Sequence, residues 1–173
     1  MSKYKLIMTF DKLVESKAFR QGISFGVVSS AMTVLGMSFG MWSSASTLRN
    51  IIASIVGLSI SNSLADGFSM YMANIARGDS KTQSIKSSSV TAVVEMIFPL
   101  VFLVPFFIFK EKTAIIFNAA IGMAMVALTG LYVSHLTKDT EKETLENLVL
   151  YLAVTMAIMA CTYVGGKITA KIM

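Results

Sequence analysis

The charged residues of this chain are confined to short patches, and the runs between them are apolar and about twenty residues long or longer. Only 14% of the residues are Asp, Glu, Lys or Arg, whereas soluble domains carry about 25%. Apolar runs of this length are typical of helices that cross the roughly 30 Å apolar core of a membrane. The alternating pattern of a membrane barrel is absent. The sequence therefore predicts an all-α integral membrane protein.

Five apolar segments are long enough to cross a membrane as helices. We expect a transmembrane domain over residues 21–173, with helices at about 22–42, 50–76, 90–109, 114–136 and 145–169. Pro99 and Pro105 should kink the third helix, because proline removes a backbone donor and clashes with the preceding turn. Residues 77–89 are predicted to form a short polar link between the second and third helices.

Residues 1–20 lack the apolar core and the cleavage site of a signal peptide. Their apolar side chains recur at the spacing of an amphipathic helix, opposite Lys5, Lys12 and Glu15. We expect this segment to be an amphipathic helix in the membrane interface, and a mobile tail is the alternative.

The distribution of Lys and Arg predicts the orientation of the chain. With a cytoplasmic N-terminus, the inner segments carry ten basic residues and the outer segments carry five, namely Arg49, Lys110, Lys112, Lys167 and Lys171. The C-terminus is then outside or in a lumen. The net charge of +5 is explained by this topology and by anionic lipid, so we expect the lipid bilayer and no nucleic acid as a partner.

Small residues recur every four positions in three of the predicted helices. The sets are Gly22/Gly26 and Gly36/Gly40 in the first helix, Ala53, Gly57, Ser61, Ala65, Ser69 and Ala73 in the second, and Ala153, Ala157, Cys161 and Gly165 in the fifth. Small faces allow helix backbones to approach closely within a membrane. They serve contacts within the chain or a homodimer, and the pattern alone does not separate the two.

Asp66 lies in the middle of the second apolar segment, about 16 Å of helix rise from Arg77. A carboxylate at that depth costs about 2.5–3.5 kcal/mol on insertion scales, so it should face protein or a water-filled path. Asn62, Asp66, Met70 and Asn74 are four residues apart and form one stripe. Carboxylate, amide and thioether ligands suit manganese and iron. The alternative is that Asp66, protonated or hydrogen-bonded, only holds helices together.

Two further polar residues fall inside predicted helices. Glu95 is expected near the cytoplasmic end of the third helix, shallow enough to reach water by snorkelling. It is either a proton or metal relay or an interfacial residue. Asn118 in the fourth helix should hydrogen-bond between helices.

The sequence gives no sign of an enzyme. There is no P-loop, no HExxH motif and no dinucleotide fingerprint. The GMSFG stretch around Ser38 matches G-x-S-x-G, but it lies in a predicted membrane helix, and the single histidine, His135, belongs to the opposite end of the bundle. The single cysteine, Cys161, excludes an internal disulfide and a cysteine-based zinc site. We expect no catalytic residue and no cofactor other than a transported metal.

Several motifs, taken in order, resemble the vacuolar iron transporter family. Ser69-Met70 matches the S-M pair of the family's A-E-L-V-A-G-A-L-S-M-x-x-G-E-Y, and GISFGVVSSAMTVLG in the first helix is similar to N-D-G-[IL]-V-S-T-x-x-x-x-x-G. GLYVSHLT and VTMAIMACTYVGGKI resemble motifs of the fourth and fifth helices. The resemblance implies a five-helix homodimer that exports ferrous iron or manganese from the cytosol by proton exchange, through a path at the dimer interface.

The chain departs from this family at its acidic positions. Phe25, Asn62 and Asn74 stand where the family has Asp or Glu, and only Met70 of the family's ion ligands matches. Asp66 stands at a family glycine, so the carboxylate has moved along the same face or the ion path has been lost. A dimer with two copies of Asp66, Asn62 and Met70 would offer six ligands.

The Glu-rich cytoplasmic insert of the family is also missing. Two functions follow from the sequence: a divalent-metal exporter, or a non-transporting membrane protein of the same fold that acts as a structural or partner-binding subunit.

Overall fold

The computed structural model describes residues 16–172. This part of the chain is helical apart from short connections, and its elements are α1 (Lys17–Ser43), α2 (Leu48–Ala76), α3 (Lys81–Val101), α4 (Val104–Ile108), α5 (Glu111–Thr137) and α6 (Glu141–Ile172). Five helices, with α3 and α4 taken together as one, are long and apolar enough to cross a membrane. The expected amphipathic helix falls mostly on residues 1–15, which lie outside the described residues.

Three of the long helices begin at capping side chains that the span predictions did not use. Ser16, Thr47 and Ser80 each accept a hydrogen bond from a backbone N–H in the first turn of the helix that follows. α1 therefore begins at Lys17, and residues 17–20 belong to the first long helix rather than to a separate interfacial segment.

The predicted 77–89 link is wrong, because α3 begins at Lys81 and only residues 77–80 connect it to α2. The polar stretch after Ser80 is helical because its small hydroxyl side chains face inward, and Ser84, Ser87 and Thr91 are fully buried. The third span is therefore about nine residues longer at its start than apolarity alone indicated.

α1 is the central helix of the bundle and packs against α2, α3, α5 and α6. Its two glycine pairs pack against different neighbouring helices. A Cβ at Gly22 or Gly26 would come within 3 Å of Val90 or Val94 on α3, and one at Gly36 would lie 2.9 Å from Ile158 on α6. The core beside α1 contains Ala31, Val34, Leu35, Ile51, Ile55, Phe102, Phe106, Ala114, Ile115 and Val126.

The third span is interrupted between its two prolines, in the region where the sequence predicts a kink. α3 ends at Val101 and α4 begins at Val104. Asn118 on α5 donates from Nδ2 to the carbonyl of Phe102 at 3.0 Å, which satisfies a backbone acceptor at the break. Asn118 thus makes the predicted interhelical hydrogen bond.

The turn between α5 and α6 is closed by hydrogen bonds. Lys138 adopts the left-handed conformation with φ 59°. The Asp139 carboxylate accepts from the Thr137 hydroxyl at 2.6 Å and from the Asn147 amide at 3.0 Å. These donors, Thr137 first among them, hold the pKa of Asp139 below its usual range. The turn sets α6 against α1 and α5 along one side of the bundle.

Candidate functional site

Two acidic side chains from neighbouring helices meet inside the bundle. Asp66 on α2 accepts a hydrogen bond from the Ser29 hydroxyl of α1 at 2.8 Å. Glu95 on α3 is fully buried, and both Ser29 and Asp66 lie close enough to interact with its carboxyl group. Neither Glu95 oxygen has a partner of good hydrogen-bond geometry among residues 16–172. We refer to Asp66 and Glu95 as the carboxyl pair.

The carboxyl pair lies deep within the spans. α1 begins, α2 ends and α3 begins at one end of the bundle. Measured along the helices from that end, Ser29, Asp66 and Glu95 are about 18, 15 and 21 Å in, which is near the middle of a 30 Å apolar core. Glu95 does not reach the surface as the snorkelling interpretation requires, because its exposed fraction is 0%. The earlier start of α3 accounts for this greater depth.

Pro99 removes a backbone donor next to Glu95. In an α-helix the carbonyl of residue 95 accepts from the N–H of residue 99, and proline has none. Pro99 is itself buried inside α3. The backbone carbonyl of Glu95 therefore lacks its helical donor in the same region as the carboxyl pair. Two carboxylates in apolar surroundings repel each other, and a bound cation or a proton relieves that repulsion.

Met70 and Asn74 lie one and two turns from Asp66, toward the end of α2, and contact a different set of side chains. The Gln21 amide of α1 donates to Asn74 Oδ1 at 2.9 Å and to Met70 Sδ at 3.4 Å. Asn74 also donates to the Ser87 hydroxyl and accepts from Arg77. Both the oxygen and the nitrogen of the Asn74 amide are thus used to join three helices.

Asn62 is half-buried one turn on the other side of Asp66, and its side chain makes no hydrogen bond with residues 16–172. The structure therefore brings Asp66 and Glu95 together, holds Met70 and Asn74 around Gln21, and leaves the Asn62 amide free for another partner. Within residues 16–172 no group of three or more His, Cys, Asp or Glu side chains is placed to hold a metal ion.

The small residues of α2 form an exposed face in the single chain. All six are exposed, and a Cβ added at Gly57 would have nothing within 4 Å; the set is Ala53, Gly57, Ser61, Ala65, Ser69 and Ala73. We call it the small-residue face. Asp66 is half-buried between exposed Ala65 and buried Gly67. Asp66 therefore lies at the edge of the small-residue face and not on the buried side of α2.

Sequence reasoning missed Ser29 and Gln21 as partners of the predicted site residues. Ser29 is a polar side chain inside the predicted apolar first span and Gln21 directly precedes that span, so both were usable signals. Nothing in the pattern indicated which residue of α2 each one meets, because periodicity assigns a residue to a face and not to a neighbouring helix.

The fold and this buried polar site define a multi-pass helical membrane protein. Comparison of the chain with protein-family models, with curated proteins and with solved structures finds no match.

Proposed function

We propose that the protein is a homodimeric carrier that exports a divalent transition metal, iron or manganese, from the cytosol in exchange for protons. The observation that carries this proposal is the carboxyl pair: two acids from different helices at mid-span depth, with Ser29 bonded to Asp66 and close to Glu95. Acids at that depth are costly and are most often part of an ion or proton pathway. The motif resemblance to the vacuolar iron transporters supports the same activity.

The proposed ion site needs a second copy of the chain, since one chain supplies only two acids to it. A two-fold axis along the small-residue face would place a second Asp66 and a second Asn62 opposite the first, because both residues border that face. Carboxylate and amide oxygens suit manganese, and the Met70 thioether adds affinity for the softer ferrous ion.

Proton exchange follows from the chemistry of the ligands. A carboxylate binds metal only when it is ionised, so protons and metal compete for the carboxyl pair. If metal loads the site from one side of the membrane and protons load it from the other, metal export and proton entry are coupled.

Metal uptake into sealed liposomes tests the proposal. We expect the wild-type protein to transport manganese or ferrous iron, and Asp66→Asn to reduce the rate by at least about tenfold, because the variant keeps the shape of the side chain and removes its charge. Glu95→Gln should also reduce transport. Asp79→Asn, the same change in the 77–80 connection where Asp79 pairs with Arg77 at 3.4 Å, is the matched control and should transport normally.

A non-transporting subunit of the same fold is the second candidate, and the lack of a three-residue ligand cluster within residues 16–172 favours it. It becomes the better description if wild-type liposomes show no uptake and metal does not raise the Tm of the purified protein. Equal transport by wild type and Asp66→Asn would remove the carboxyl pair from the mechanism.

A further inference from the structure

A cavity of about 840 Å³ opens between α1, α2 and α5 at the end of the bundle where α1 begins. α2 and α5 do not pack closely against each other, so the space between them remains open. Three basic side chains, Lys17, Arg20 and Arg77, line this cavity, and no acidic residue among residues 16–172 does. We call it the basic cavity.

Two of the three basic side chains have no ionic partner within residues 16–172. Arg77 pairs with Asp79 at 3.4 Å, while Lys17 and Arg20 form no salt bridge there. Like charges that line one opening repel each other, and a bound anion relieves the repulsion. A divalent cation is not a suitable occupant for the same reason.

Apart from Gln21, Ser24 and Thr137, the remaining walls of the cavity are apolar, and the space continues deeper into the bundle. Phe25 and Val133 line both the basic cavity and an adjoining cavity of about 420 Å³, whose walls include Val28, Met32 and Tyr151. A ligand that fits both parts has an anionic group at one end and an apolar chain at the other. An anionic phospholipid has this chemistry, and basic pockets between membrane helices are known to bind anionic headgroups.

We propose that the basic cavity is a binding site for an anionic phospholipid. Its phosphate lies among Lys17, Arg20 and Arg77, and one acyl chain extends past Phe25 between α1 and α5. Residues 1–15 are a poorer occupant, because this segment carries three lysines against two acids and would add positive charge to the opening. A soluble phosphate would leave the apolar walls uncovered.

Lipid retention by the purified full-length protein tests this site. The delipidated protein in detergent is titrated with phosphatidylglycerol and with phosphatidylcholine of the same acyl chains, and bound lipid is counted by native mass spectrometry. We expect one phosphatidylglycerol to bind more tightly than phosphatidylcholine. Lys17→Gln with Arg20→Gln should weaken its binding by roughly fivefold for each charge removed. Lys110→Gln with Lys112→Gln, a matched charge change at the other end of the bundle, should leave it unchanged.

A second variant tests the apolar part of the site. Val133→Trp fills the space shared by both cavities and should abolish tight binding of phosphatidylglycerol without any change of charge. Glycerol phosphate should not displace the lipid.

The proposal is overturned if either cavity variant retains phosphatidylglycerol as well as the wild type does, or if the Lys110/Lys112 control loses it equally. Displacement by glycerol phosphate would assign the basic residues to a soluble anion instead. Variants that fail to fold are recognised by an altered size-exclusion elution and a lowered Tm. In that case Arg77→Gln repeats the removal of charge from the basic cavity, because Arg77 is at a helix end exposed to solvent.

Discussion

At the scale of single residues, the polar side chains inside the bundle fall into two groups with different chemistry. Asn74 has both its amide oxygen and its amide nitrogen hydrogen-bonded, to Gln21, Arg77 and Ser87, which is what a residue that joins helices requires. Glu95 is fully buried, and its carboxyl oxygens have no hydrogen-bond partner of good geometry in the described part of the chain. A buried polar group left in this state is costly, so Glu95 is a place where an ion or a proton gains binding energy.

Met70→Leu tests whether the thioether takes part in ion selection. The exchange nearly conserves volume, so it should cost less than about 1.5 kcal/mol in stability. We expect ferrous iron transport to fall several-fold more than manganese transport, because only the soft ligand is removed. The measurement is paired uptake of the two ions into the same liposomes. Met72→Leu is the control, since Met72 is exposed on the same helix. Equal losses of ferrous iron and manganese transport would mean that Met70 contributes only to packing.

The sequence identifies single site residues better than it identifies their partners. Asp66 stands out because a carboxylate in an apolar run is costly wherever the helix packs. Glu95 was assigned too shallow a position, because its depth depends on where α3 begins, and the Ser80 cap sets that point. The contact of Asp66 with Ser29 depends on the register between α1 and α2, which no single-helix pattern contains.

At the scale of helices, the structure divides the small residues between two uses. The glycine pairs of α1 serve contacts within the chain, with α3 at one end and α6 at the other. The small-residue face of α2 is exposed in the single chain, and a Cβ at Gly57, or at Gly165 on α6, would have nothing within 4 Å among residues 16–172. The same four-residue spacing is therefore packed within the chain on α1 and left open for the proposed dimer on α2, which explains why the sequence pattern alone does not separate the two uses.

Leucine substitutions separate these uses. Gly57→Leu should weaken self-association of the protein in lipid nanodiscs and leave its Tm nearly unchanged, because the site has open space around it. Gly36→Leu should lower stability by about 1–3 kcal/mol through overpacking against Ile158, whatever the oligomeric state. Crosslinking yield and thermal unfolding are the two measurements.

Gly165→Leu is the matched control for this experiment, since Gly165 is equally open but lies on α6. A wild-type protein that is monomeric in lipid would contradict the proposed dimer. Loss of association only in Gly165→Leu would move the interface from α2 to α6.

At the scale of the whole molecule, α2 separates two environments of opposite character. One side borders the small-residue face, where Asp66 would meet its symmetry copy. The last turns of α2 line the basic cavity through Met70, Ala73 and Arg77, and Ala73 also belongs to the small-residue face. A cation path and an anionic lipid therefore share few side chains, namely Met70 at the basic cavity and Ser29, which lines the adjoining cavity and donates to Asp66.

Both proposals depend on which end of the bundle faces the cytosol, and the distribution of basic residues predicts that the α2–α3 connection does. The third span runs from Lys81 to Ile108, so Lys81 and Lys112 lie at opposite ends. In a Cys161→Ser background, Lys112→Cys should react with an impermeant maleimide on intact cells, and Lys81→Cys should react only after permeabilisation. The basic cavity opens at the Lys81 end, where the cytoplasmic leaflet supplies anionic lipid. The reverse labelling would place the cavity in the opposite leaflet and turn the proposed export into import.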